Sequence, residues 1–361
     1  MKKTFVLLII GILLGIFIIA CRKNNSKFYV KLNSLDHLPI AMNEFTALVP
    51  MGFVSPPGHI FPNDHMGLYY EKAVSPVIIY APGNLHITEL RGNIYNPGEV
   101  DETSDYAISF GVNGESTLVF GHISQLSPKL KAAFGNYSAC EQYQVGAGIV
   151  KACRKSVSME VISGEIIGYS NMVQGQQALD LGMFVNNEPV SPLAYFTASI
   201  RADLESRIMG APNAEYDGIK RTALPLAGEW NHDVAGTLQG NWIQQGFAKE
   251  PEINNIAFVK NYINPAQLRI SFGNSQPVFG PGYWKFDQQN TGQINRAFVD
   301  VKPDGKIYCY DPLFLNGGGF PNNSFLVKME NNTTIAVETR DCNCSTNLPY
   351  VFTTAKKIYS R

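Results

Sequence analysis

One stretch of the chain has residue types and spacing that suggest metal chemistry. In PNDHMGLYY, residues 62–70, His65 is followed at the second position by Gly67 and at the fourth by Tyr69. A hydrolytic zinc site needs three protein ligands and an open position for water, and imidazole nitrogen is a good donor. Tyrosine is a poor one, because its phenol must lose a proton of pKa about 10 before it binds well. The stretch reads as half of a zinc site with one ligand replaced. Asp64 stands where it can orient the His65 ring, or bind the loop backbone instead. His59, in the proline-rich PPGHIFPNDH, is either a spare ligand or a partner of the loop backbone. Tyr69 and Tyr70 are candidates to line a binding groove, where aromatic faces give contact area at little entropic cost. A β-rich core also contains many tyrosines.

These residues lie in sequence that reads as strands. From Val30 to about Phe196, short runs such as PVIIYAPG, HITELRG, YAISFGV, STLVFGH and SMEVISGEIIGYS are β-branched and aromatic, with Gly, Pro or Asn between them. Two segments read as helices. LSPKLKAAFG has Ser127 as N-cap, Pro128 at the first position and Gly135 as its stop. SPLAYFTASIRADLESRIMG repeats that grammar from Ser191 to Gly210, with Leu193, Phe196, Ile200, Leu204 and Ile208 on one face. After the linker APNAEYDGIKRTALPLAGEW a second β-rich region begins near GTLQGNWI. It contains AFVDVKPDGKIYCYD, read as a hairpin turning on Asp-Gly, and FLVKMENNTTIAVE, read as one turning on Asn-Asn.

The chain has 361 residues, enough for two domains, and carries a formal net charge of −1 with 16% charged residues. Nothing in that balance resembles the basic footprint of a nucleic-acid binder. At 45% apolar residues with 32 Gly and 21 Pro, the composition fits a turn-rich, mainly β globular protein. At the N-terminus Lys2 and Lys3 precede the apolar run Phe5–Ala20, and IIAC ends in Cys21. The run falls short of the roughly 20 residues that cross a bilayer. It reads as a secretory signal over residues 1–20, and the cysteine after it resembles a bacterial lipobox, which implies lipidation of Cys21. The chain is therefore expected to be exported and held at a membrane by a lipid anchor. Export permits disulfides. CEQYQVGAGIVKAC reads as a hairpin closed by Cys140–Cys153, and Cys309 has two candidate partners, Cys342 and Cys344, with one thiol left over.

Taken in order, DHMGLYY, SPVIIYAPGNLHITEL, DYAISFGVNGESTLVFGHISQLS, SGEIIGYS and QALDLGMFVNNEPVSPLAYF resemble the motifs of the lysostaphin-like zinc endopeptidases of the duplicated hybrid motif fold. The likeness covers roughly residues 50–197. It implies that His65 holds the place of the family's first zinc histidine and that Tyr69 stands where the family has a ligating aspartate. The family's HxH segment corresponds to Ala178-Leu179-Asp180, so Asp180 replaces the ligating histidine and Ala178 the catalytic one. His122, in FGHIS, matches a family histidine that lies near the metal without binding it.

Aspartate is a legitimate oxygen ligand, so His65, His122 and Asp180 compose a two-nitrogen, one-oxygen set suited to zinc. Ala178 cannot orient water or stabilise an oxyanion. The fold expected is mainly β: a duplicated-hybrid-motif domain over residues 30–210, ending in a helix, and an antiparallel, barrel-like domain over residues 220–361. The function expected is a cell-envelope lipoprotein with a degenerate peptidoglycan-endopeptidase-like domain that binds glycan, peptide or an envelope protein without hydrolysis. The alternative is a zinc-dependent wall hydrolase with a rearranged site.

Overall fold

The computed structural model describes residues 30–361 apart from 71–75, 100–101, 113–115, 136–138, 146–147, 172–176, 275–280, 287 and 312–321. The proposed signal segment 1–20 and Cys21 lie outside the described residues.

The chain is mainly β and its sheets are antiparallel. The first region contributes β1 (Ala47–Val49), β2 (Met66–Tyr69), β3 (Val77–Tyr80), β4 (Leu85–Tyr95), β5 (Thr103–Val112) and β6 (Ser116–Ile123). After these come β7 (Gln125–Leu126), β8 (Ala139–Val145), β9 (Gly148–Val161), β10 (Ile166–Ser170), β11 (Ala178–Val185) and β12 (Glu188–Val190). The larger sheet runs β1-β2-β11-β6-β5-β4-β9-β8, with β12 added on β11, and β3-β10-β7 form a small second sheet. Alternation explains the packing: in β4, Leu85, Ile87, Leu90, Gly92 and Ile94 are buried, and the residues between them face out. Ile87, Leu90, Ile108, Phe110, Leu118, Phe120, Leu179 and Leu181 share one apolar core with the helical residues Leu130 and Phe134.

Helix α1 (Pro128–Phe134) follows the predicted grammar, with the Ser127 hydroxyl accepting from Leu130 N and Pro128 opening the helix. The second predicted helix is shorter and broken. Residues 192–195 form a 3₁₀ turn, and α2 spans only Ala198–Glu205. The interruption has a cause. Leu35 pairs with Phe196, and its carbonyl accepts from Thr197 N, while Leu48 exchanges backbone bonds with Arg207 and Met209. The chain around α2 is stitched into strand-like pairings, so Ile208 reaches the core from outside the helix.

The later region contributes β13 (Gly240–Gln244), β14 (Ile256–Lys260), β15 (Leu268–Phe272), β16 (Gly282–Phe286), β17 (Tyr308–Tyr310), β18 (Ser324–Asn331), β19 (Thr334–Arg340) and β20 (Lys357–Ser360). They form one curled sheet ordered β16-β15-β14-β13-β20-β19-β18-β17. The Asn-Asn hairpin is present as β18–β19. The Asp-Gly hairpin is not. Phe298–Asp300 is a 3₁₀ turn, and β17 pairs with β18 instead, because Phe298 is drawn into the aromatic core beside Phe258, Phe286 and Tyr310.

The two regions meet at the loop that precedes β2. Val54, Ile60 and Phe61 pack on Ala257 and Val259 of β14. The Glu252 carboxylate accepts a 2.8 Å hydrogen bond from Phe61 N. Val49 and Tyr69 pack with Ala211, Tyr262 and Ile263. Cys140 bonds Cys153 across the β8–β9 register pair, and Cys309 bonds Cys344. Cys342, a candidate for that second bond, keeps a free thiol. The segment is a bend and a 3₁₀ turn, in which the Asp311 carboxylate accepts from Cys344 N and holds Cys344 buried against Cys309. The Cys342 carbonyl is tied to the Ser324 hydroxyl.

Candidate functional site

The face of the larger sheet opposite its core forms an open trough of about 790 Å³. His65, His122 and Asp180 meet at one end of it, brought there by three adjacent strands. His65 immediately precedes β2, which pairs with β11 so that Gly67 faces Asp180 and Tyr69 faces Ala178. β11 then pairs with β6, setting Asp180 against Gly121.

Small residues make the convergence possible. A Cβ on Gly121 would stand 3.2 Å from the Asp180 carboxylate, and one on Gly182 would press on the Phe184 ring 3.0 Å away. His122 follows Gly121 at an irregularity in the β5–β6 pairing and has a left-handed backbone, φ +59°. That conformation is costly for a non-glycine residue and is held by its surroundings. The Ser170 hydroxyl donates to the His122 carbonyl at 2.6 Å, and the Tyr70 hydroxyl lies 2.6 Å from Ser170 and donates to Asn171 O.

The side chains form a chain of alternating carboxylates and imidazoles. Asp64 accepts from His65 Nδ1 at 3.0 Å. His65 Nε2 lies 3.5 Å from Asp180 Oδ1, and His122 Nε2 lies 3.2 Å from Asp180 Oδ2. Asp105 Oδ2 stands 3.3 Å from His122 Nδ1, close enough for an ion pair but outside hydrogen-bond alignment. Burial alone would lower both histidine pKa values, but the carboxylates outweigh it. Asp180 and Asp64 raise His65, and Asp105 and Asp180 raise His122 to about 9. His59 packs edge-on to His65 with ring centroids 5.4 Å apart. Burial and the His65 charge lower its pKa, so it is the neutral imidazole of the group.

Zinc would need the donors of His65, His122 and Asp180 gathered around one point. The donor types suit it, and a carboxylate backing each Nδ1 is the usual support for a ligating imidazole. The spacing does not suit it. The two imidazoles address different oxygens of Asp180, so the carboxylate lies between them. Among the described residues, only Cys309, Asp311 and Cys344 bring three donor atoms within 4.8 Å of one another, and those sulfurs are joined in a disulfide. As arranged, the residues do not fit a single zinc ion.

Of the expected groove residues, Tyr69 folds its ring back over Gly67, and burial followed by the Asp180 charge raises its phenol well above the ordinary value. It therefore supplies no phenolate. Tyr70 was expected at the groove but is buried at 3% exposure, because consecutive residues of an extended chain face opposite ways. Its hydroxyl supports the backbone of His122 from behind. His59 stands with Tyr69, His65 and Asp180 around a small recess next to the trough. Ala178 is buried and offers only a methyl group.

The residues missed in sequence are Asp105, Arg91 and Arg154, which line the trough beyond His122. Alternation within DYAISFGV and HITELRG put Asp105 and Arg91 on the exposed face, but only strand register shows which residues they join.

No protein-family model matches the chain, and no curated protein sequence matches it. Similar solved structures include Helicobacter pylori Csd3, in an orthorhombic crystal, at 17% identity and a TM-score of 0.25, covering 48% of this chain and 40% of that one. The hexagonal form of Csd3 gives the same identity and TM-score over 48% and 38%. The solution structure of lysostaphin is similar at 14% identity and a TM-score of 0.25, covering 71% of this chain and 94% of that one. The match thus spans less than half the length of Csd3, and likeness at this TM-score leaves function to be read from the residues of the trough.

Proposed function

We infer that this is an exported cell-envelope protein whose trough binds peptide or glycan of the wall without cleaving it. The observation that carries this reading is the placement of Asp180 between His65 and His122, paired to both. The carboxylates raise both rings, His122 to about 9, so that His122 is held as an imidazolium at neutral pH. His122 in that form cannot act as a general base. Ala178 and the protonated Tyr69 leave no replacement among the positions where the sequence resembles a peptidase. An imidazole–carboxylate network bordering a trough of about 790 Å³ is suited to hydrogen-bonding a polar ligand. The lipobox-like Cys21 and the two disulfides support an envelope location.

A metal-dependent hydrolase is the second reading, and one observation favours it. Asp64 and Asp105 back the Nδ1 atoms of both histidines, as carboxylates commonly do for metal-binding imidazoles. Metal analysis of the purified protein, with His65→Ala and Asp180→Ala as controls, separates the two when combined with sedimentation and cleavage assays on peptidoglycan. Wall binding with no stoichiometric zinc and no cleavage is the expected result. One zinc per chain, lost in both variants and accompanied by release of wall peptides, would overturn the binding reading.

A further inference from the structure

We propose that Arg91 and Arg154 form an anion subsite in the same trough, which takes a carboxylate of the bound wall peptide roughly 14–19 Å from Asp180, three to four strand spacings away. The proposal rests on the binding function inferred above and names part of its ligand. Strand register carries it. Asp180 on β11 faces Gly121 on β6, and Ala107 on β5 lies against the irregularity at Gly121 and His122. Ala107 is in turn paired with Arg91 on β4, and Arg91 with Arg154 on β9. One row across five neighbouring strands therefore has the imidazole–carboxylate network at one end, two small residues as its floor, and two arginines at the other end. At about 3.5 Å per extended residue, a peptide of about four to five residues covers the span.

Like charges directly opposite each other on paired strands destabilise a sheet, so the arginine pair has a cost that the fold does not require. Internal pairing takes up only part of this charge. Arg91 Nε lies 3.3 Å from Glu89, without hydrogen-bond alignment. Its terminal nitrogens, and the whole Arg154 guanidinium, have no side-chain partner among the described residues. Two planar forks facing an open trough are the geometry that captures a carboxylate through charge-assisted, paired hydrogen bonds. Glu141, on β8 next to Arg154, adds a negative charge at the far end and disfavours a ligand with several anionic groups there.

The test is sedimentation of the full chain, kept in detergent, with insoluble peptidoglycan that is either native or has its carboxylates converted to amides. Amidation should weaken binding of the native chain about tenfold, the loss expected for one charge-assisted paired contact. Arg91→Gln with Arg154→Gln should lose a similar factor on native wall and be insensitive to amidation. Soluble wall peptides with only the C-terminal or only the side-chain carboxyls blocked, used as competitors, identify which carboxylate is held. The melting temperature of the double variant should be unchanged or higher, which separates lost recognition from lost folding. Equal sensitivity of the native chain and the double variant to amidation would overturn the subsite and leave wall binding standing. No sedimentation of the native chain with native wall would overturn both.

Discussion

The two large sheets of this protein use their faces in opposite ways. The curled sheet β13–β20 fills its interior with aromatic rings. Trp284 packs edge-on to Phe272 and against Phe325 at a centroid distance of 4.4 Å, and Phe258, Phe286, Phe298 and Tyr310 form a second group. The sheet containing β2, β11, β6, β5, β4 and β9 buries one face in the same manner but leaves the other as a trough lined by histidine, aspartate and arginine. The first arrangement maximises contact area, and the second leaves charged groups facing open space. Their connection shows what the aromatic sheet contributes to the trough. Through Glu252, Ala257 and Val259 it holds the loop that carries His59 and leads into His65.

The contrast can be broken from either side. Trp284→Ala in the aromatic interior should cost about 3–5 kcal/mol, the range for deleting a buried large aromatic. Chemical denaturation would measure it, and a loss below about 1 kcal/mol would mean the interior is not the stabilising element described. Substitutions at the exposed trough arginines should stay within about 0.5 kcal/mol by the same measurement.

The next effect in size is pH dependence. The folded pKa of His122 is raised to about 9 from an ordinary 6.5. Its stabilising charge is therefore fully present below pH 6.5 and is lost as pH rises through 9. On the order of 1–3 kcal/mol should disappear across that window. Burial pushes Glu252 up to about 7, so it contributes its own slope at lower pH. The His122→Asn variant isolates the histidine, and it should show a flatter stability profile between pH 7 and 9. An unchanged profile would remove the ion network from the account.

A smaller effect than that of the aromatic interior lies at the junction of the two regions. Glu252→Ala removes the acceptor for Phe61 N and should cost about 1–2 kcal/mol. Because the loop carries His59 toward His65, the variant should also broaden or shift the His59 and His65 ring signals in NMR spectra. Signals that stay in place would show that the aromatic sheet does not position the site.

Much of this was legible in the sequence. Strand alternation and turn residues gave the β class and most strands of the trough sheet, and the order of motifs brought His65, His122 and Asp180 to one place. What escaped was set by pairing between distant segments. The 191–210 stretch has helical spacing, yet Leu35 and Leu48 pull its ends into backbone pairings. Tyr70 sits one residue past Tyr69 and so turns inward. Cys344 rather than Cys342 bonds Cys309 because Asp311 caps the turn at residue 344. Arg91 and Arg154 lie 63 positions apart in the chain and become neighbours only through the β4–β9 register. The two oxygens of Asp180 addressing separate histidines is a matter of ångströms, which motif spacing does not encode.

The central claim is that Asp180 pairs with both imidazoles, His122 in its charged form, instead of sharing a metal with them. Nitrogen-15 NMR of the histidine side chains, recorded at pH 7.5 before and after one equivalent of zinc, tests it directly. The account predicts that His122 is doubly protonated, with an apparent pKa near 9, and that neither His122 nor His65 shifts when zinc is added. A neutral His122 titrating near 6.5, or a zinc-induced shift at the Nε2 atoms of both rings, would contradict it.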